Sequence, residues 1–171
     1  MDVFFMRDHG AMYPPDIFER GEYYRLITCM FLHFGAEHLL FNMLLLLFAG
    51  DMLETRMGPV RYLLIYLGGG VAGNLLSLFI AASSGDYAVS AGASGGIFAV
   101  IGALVWIVIV NKGKTTDIDG KGLYAMAVLS LIQGFWETGT DNFAHLGGFI
   151  CGFLLAAILG IVSFPNSRRK V

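Results

Sequence analysis

Ser94 stands in the run Ser90-Ala91-Gly92-Ala93-Ser94-Gly95-Gly96, among residues too small to shield its hydroxyl. The glycines around it let a backbone bend and let another come close. A hydroxyl in such a place becomes a nucleophile when a neighbouring base takes its proton. His145, in Ala144-His145-Leu146-Gly147-Gly148, supplies an imidazole that accepts a proton when neutral. Gly148 and Gly152 repeat at the small-x-x-x-small interval that lets two membrane helices approach. His38 and Asn42, at i and i+4, share one face of another helix. Both can donate hydrogen bonds to a developing oxyanion, as can the unpaired amides of a helix beginning near Ser94. These types allow acyl transfer by a hydroxyl–imidazole pair. The wide separation in sequence is no obstacle, because such pairs are defined by geometry.

The elements that must position these groups are membrane helices. The chain has 171 residues, a length for one domain, of which 56% are hydrophobic and only 14% charged. Soluble domains carry about 25% charge. Mean hydropathy is +0.68, and 14 Phe, 8 Met and 23 Gly fit a bundle in which small residues permit close helix contact. The expected fold is all-α, a polytopic membrane helix bundle. Apolar blocks run from about Ala36 to Glu54, Val60 to Ala82, Gly92 to Val110, Gly122 to Trp136 and Asn142 to Phe164. All but the short fourth approach the length of about 20 residues that a crossing helix needs. Gly58-Pro59 and Ser83-Ser84-Gly85-Asp86 mark turns between them.

Five spans put the termini on opposite sides. Arg56, Arg61, Lys112, Lys114, Lys121, Arg168, Arg169 and Lys170 then share one side, and Arg7, Arg20 and Arg25 the other. The positive-inside rule makes the first side cytoplasmic. The division expected is an outer loop and interfacial segment over 1–35, a transmembrane domain over 36–164 and a basic cytoplasmic tail over 165–171. Ser94, His145 and His38 each fall near the start of a span entering from the outer side, hence at similar depth. A multi-pass protein of the plasma membrane is the expectation.

Other chemistries fit worse. A net charge of −2 without a basic run offers nucleic acid no face. Cys29 and Cys151 form neither a C-x-x-C pair nor a disulfide framework. His33 and His38 lack the i, i+4 spacing of an H-E-x-x-H zinc site. Asp51 and Glu54 sit at the opposite end of the first block from the other candidates. The two halves are too unlike for a transporter built from repeats. The chemistry read here needs no cofactor or metal.

The ordered set His38-Leu39-Leu40-Phe41-Asn42, Gly92-Ala93-Ser94-Gly95 and Ala144-His145-Leu146-Gly147-Gly148-Phe149-Ile150-Cys151-Gly152 resembles the rhomboid family of intramembrane serine proteases. Tyr24-Arg25-Leu26-Ile27-Thr28 with Phe31-Leu32-His33 resembles its first extramembrane loop. The resemblance covers about residues 10–160. It implies a Ser94 nucleophile with His145 as general base, and an oxyanion hole of His38, Asn42 and the Ser94 amide. Gly92, Gly95, Phe98 and Gly148 shape the site in this reading. The implied substrates are transmembrane helices of other proteins, met within the lipid bilayer. The family core has six helices, and the one preceding the first loop is represented here only by Met1–Met6, which implies either a truncated start or a five-helix variant. Tyr24 replaces the family's usual Trp, and Phe98 stands where some members stack a Tyr on the histidine. The competing implication is an inactive rhomboid-like protein that binds membrane helices without cutting them.

Overall fold

The computed structural model describes residues 2–111, 128 and 140–161. The fourth apolar block (all but Val128) and the basic tail lie outside the described residues. Three short helices come first: α1 (Val3–Asp8), α2 (Pro14–Arg20) and α3 (Arg25–Thr28), the last running into a 3₁₀ turn at Cys29–Phe31. Long helices follow: α4 (Ala36–Met57), α5 (Pro59–Ser84), α6 (Ser94–Val110) and α7 (Asn142–Ile161). The ends obey local chemistry. Gly58, at φ +81°, closes α4, and Pro59 opens α5 at a position where its missing N–H costs nothing. The boundaries of α4, α5 and α6 and the start of α7 lie within three residues of the blocks read from sequence, with α6 starting at Ser94 rather than Gly92.

Three described helices are long and apolar enough to cross a membrane: α4, α5 and the Asn142–Gly160 stretch of α7. The protein is a multi-pass membrane protein with an all-α bundle. Helix α6 is shorter, 17 residues, or about 26 Å at 1.5 Å per residue. It is buried from Gly95 through Val108 and packs chiefly on α7 and α5. Helix α4 instead exposes Leu40, Phe41, Leu47 and Phe48, an apolar surface suited to lipid.

Glycine makes the central contact possible. A Cβ on Gly148 of α7 would strike the Gly95 carbonyl of α6, and one on Gly152 would strike the Ala99 backbone. On the other flank, Gly73 of α5 meets the Ala144 carbonyl of α7 so closely that no side chain fits between them. Lipid gives apolar helices no hydrophobic reason to associate, so close backbone packing must supply the attraction.

Residues 2–35 are folded against this bundle as well as toward its surroundings. Asp16 is fully buried and draws Arg7 (2.7 and 2.5 Å), Arg20 (3.5 Å) and Arg25 (3.5 Å) around one carboxylate. Arg25 also donates to the Arg7 and Ala11 carbonyls. The stretch from Thr28 to Phe34, whose composition suggested an interfacial loop, is divided. Phe31 is exposed, whereas Cys29 and Met30 are buried. Asn74 of α5 explains the inward half, donating to the Leu26 carbonyl at 2.8 Å and to Cys29 Sγ at 3.1 Å. That burial pushes the Cys29 thiol up to about 12.

Candidate active site

The segment leading into α6 is extended and held from outside the bundle. Ser90 exchanges both backbone hydrogen bonds with Met12, at 2.8 and 2.9 Å. Two residues on, the Gly92 N–H donates to the Cys29 carbonyl at 3.0 Å. Gly92 has φ +146°, which L side chains rarely adopt, so this turn requires glycine. The chain then enters α6 with Ser94 as its first residue. The first-turn amides of a helix have no intrahelical acceptor.

Ser94 Oγ lies 2.8 Å from His145 Nε2. The two come from adjacent helices, and the near contact of Gly95 with Gly148 brings those helices together just below. The His145 ring is buried. Phe98, one turn after Ser94, stacks on it with ring centroids 4.3 Å apart and planes at 21°. His145 Nδ1 is buried and has no hydrogen-bond partner among the described residues. A serine-protease triad would put a carboxylate there; here the flat face of Phe98 fixes the ring.

Helix α4 brings the other two groups. The His38 imidazole covers Gly92: a Cβ at that glycine would lie 3.0 Å from His38 Cε1, 3.1 Å from Nε2 and 3.7 Å from Ser94 Oγ. His38 and the Ser94 hydroxyl thus flank one spot. Asn42 is buried, and its Nδ2 donates to the His38 carbonyl at 2.8 Å. That leaves its second amide hydrogen for another acceptor. Gly95, read as keeping the site open, has only ordinary neighbours, the nearest atom 3.6 Å from where a Cβ would stand. The tighter constraint is at Gly148.

Other residues at this site escaped the sequence reading. His33 was weighed only as a zinc ligand and as part of the loop resemblance. It accepts from the Ala93 N–H at 3.4 Å and meets His38 edge-on, ring centroids 5.1 Å apart. Burial, and after it the nearby His38, push the His33 imidazole below its ordinary value, keeping it a neutral acceptor. Asp141 immediately precedes α7. It accepts from Ser77 Oγ of α5 (2.6 Å), from Ser90 Oγ (2.8 Å) and from the Ala144 N–H (2.9 Å). An Asp at an N-cap, able to accept the N–H three places on, was the available signal; its two serine partners are visible only in three dimensions.

Fold and site together define a multi-pass membrane helix bundle with a hydroxyl–imidazole pair built between two of its helices. Residues 20–161 match the Rhomboid domain model. The chain belongs to the rhomboid family. It is similar to "Rhomboid protease GluP" of Bacillus subtilis, 38% identical over 142 residues, which are 83% of this chain and 27% of that protein. It is also similar to "RHOMBOID-like protein 7" of Arabidopsis thaliana, 39% identical over 155 residues (88% and 47%). "RHOMBOID-like protein 1" of the same plant is 38% identical over 156 residues (87% and 38%). The chain spans less than half the length of these relatives.

Proposed function

We propose that this protein is an intramembrane serine endopeptidase that cleaves transmembrane helices of other membrane proteins with a Ser94–His145 dyad. The observation that carries the reading is the 2.8 Å approach of Ser94 Oγ to His145 Nε2. Ser94 Oγ attacks the scissile carbonyl carbon while its proton passes to Nε2. The tetrahedral oxyanion takes hydrogen bonds from His38, Asn42 and the Ser94 amide. The imidazolium then protonates the leaving amine, the C–N bond breaks and an acyl-enzyme remains. Water attacks that ester, giving its proton to Nε2, and Ser94 leaves with the proton returned.

A substrate helix has its amides tied in i→i−4 bonds, so cleavage requires a stretch that unwinds. Water must also reach Ser94, which favours a site near the outer surface over one at the bilayer centre. Helix α6 suits this, since at 17 residues it is at the short end for a span and begins at Ser94. In this reading residues 1–35 form the outer segment, 36–164 the transmembrane domain and 165–171 a basic cytoplasmic tail, with the protein in the plasma membrane. That orientation rests on the distribution of Lys and Arg.

The test is cleavage of a reporter transmembrane helix by the purified chain in proteoliposomes. Ser94→Ala and His145→Ala should each abolish cleavage while the protein stays folded, and a fluorophosphonate should label wild type but not Ser94→Ala. Wild-type cleavage by either variant would remove that residue from the mechanism. Binding of the reporter without cleavage by wild type would favour an inactive helix-binding protein.

A further inference from the structure

We infer that Asp141 is a positioning residue that sets the distance between the nucleophile and its base. The inference rests on the reading of Ser94 and His145 as a catalytic dyad. Two contacts join the segment entering α6 to the start of α7, and they repeat in register. Ser90 Oγ meets Asp141 Oδ2 at 2.8 Å, and Ser94 Oγ meets His145 Nε2 at 2.8 Å. Each reactive residue follows its partner in the first contact by four positions. The Ser90–Asp141 contact is therefore the outer rung of a two-rung ladder, and the dyad is the inner one.

The outer rung is anchored on every side. Asp141 Oδ1 accepts the Ala144 N–H at 2.9 Å and so fixes the first turn of α7, which carries His145. Oδ2 accepts from Ser77 Oγ of α5 at 2.6 Å as well as from Ser90. Ser90 is itself fixed by its paired backbone bonds to Met12. One acceptor-only group thus gathers donors from three parts of the fold, and bonds to an ionised acceptor are stronger than neutral ones. Both carboxylate oxygens are engaged in these bonds, and His145 Nδ1 has no hydrogen-bond partner among the described residues. Asp141 thus acts on the dyad through placement, not as a third catalytic acid. Without this clamp the start of α7 is free to turn or slide against the Ser90–Ser94 segment. A misplacement of about 1 Å is enough to cost roughly 100-fold in rate.

The test measures kcat and KM for reporter cleavage by the full chain in proteoliposomes, for wild type, Asp141→Ala, Asp141→Asn, Ser90→Ala and the Asp141→Ala/Ser90→Ala pair. Asp141→Ala should lower kcat by about 100-fold with KM nearly unchanged. Asp141→Asn should recover most of that loss. Its Oδ1 can accept the Ala144 N–H, and its amide hydrogens can reach the two serine hydroxyls. Ser90→Ala should lower kcat by a smaller factor, and the double variant should be no slower than Asp141→Ala alone, since both act through one contact. Wild-type kcat in folded Asp141→Ala would overturn the inference, as would Asp141→Asn being as slow as Asp141→Ala, or fully additive losses. If Asp141→Ala fails to fold, wild-type kcat in Ser90→Ala overturns it. Failure of the dyad reading has a separate signature, wild-type cleavage by Ser94→Ala.

Discussion

Residues 2–35 and the helical core of this protein are held together by opposite means. In residues 2–35 a single carboxylate, Asp16, gathers three arginines. Between α6 and α7 the absence of side chains does the holding, as Gly148 and Gly152 let backbones meet. The difference follows from the surroundings. Residues 2–35 use charge, with Arg7, Arg20 and Arg25 paired to Asp16. Helices in hydrocarbon gain nothing from apolar surface alone and rely on closeness of fit. The Ser94–His145 pair lies where the two regimes meet: His145 stands on the glycine-packed helix, and Ser94 follows an extended segment bonded to Met12 and Cys29 of residues 2–35.

The comparison is broken most severely at the glycine contact. Gly148→Val should cost about 3 kcal/mol or more, the upper end for overpacking, and abolish cleavage by wedging α7 away from α6. Thermal unfolding in detergent measures the first effect and the reporter assay the second. Gly95→Ala, with its nearest neighbour at 3.6 Å, should be far milder, and equal damage from the two would contradict the packing described here.

The second effect should be confined to the outer segment. Asp16→Ala should make residues 2–35 sensitive to added protease while leaving the helix content of the bundle intact. Acid should imitate it in wild type. The Arg7 hydrogen bond, outweighing burial, holds the Asp16 carboxyl below its ordinary value. A depressed carboxyl contributes stability that is full above its unfolded value of about 3.9 and is lost as pH falls further toward the folded value. Protease sensitivity should therefore rise only below about pH 4. A midpoint near neutrality would mean that another group controls the segment.

The smallest expected effect sharpens the boundary between the regions. Phe98→Ala should lower kcat by about 3- to 10-fold, the worth of one ring-stacking contact, without shifting thermal stability as Gly148→Val does. Phe98→Tyr should keep the stack and stay close to wild type. A loss in Phe98→Ala as large as that of His145→Ala would give the ring more than an orienting part.

Much of this was legible in the residues. Apolar runs gave the four described long helices because lipid forces long uninterrupted stretches, and Gly58-Pro59 and Gly85 punctuate them chemically. Ser94, His145 and His38 could be brought together in advance because a membrane turns position along a span into depth. Lateral contact carries no such signal. Ser77 and Ser90 look like ordinary small polar residues until Asp141 is found between them, and Asp16 looks like one charge among several in a loop. The inward turn of Cys29 and Met30 was hidden for the same reason, since it depends on Asn74 from α5. The rhomboid resemblance ordered the motifs correctly but said nothing of these ties.

The enclosure of α6 from Gly95 to Val108 has a consequence for how the protein meets different membranes. A helix with no lipid neighbours from Gly95 to Val108 does not feel hydrophobic mismatch directly. Thicker or thinner bilayers must be accommodated by the surrounding sleeve, through tilting of α4 and its neighbours. Ser94 is thus carried on an axle insulated from the solvent that its sleeve must fit, and host lipid composition can vary without resetting the depth of that residue.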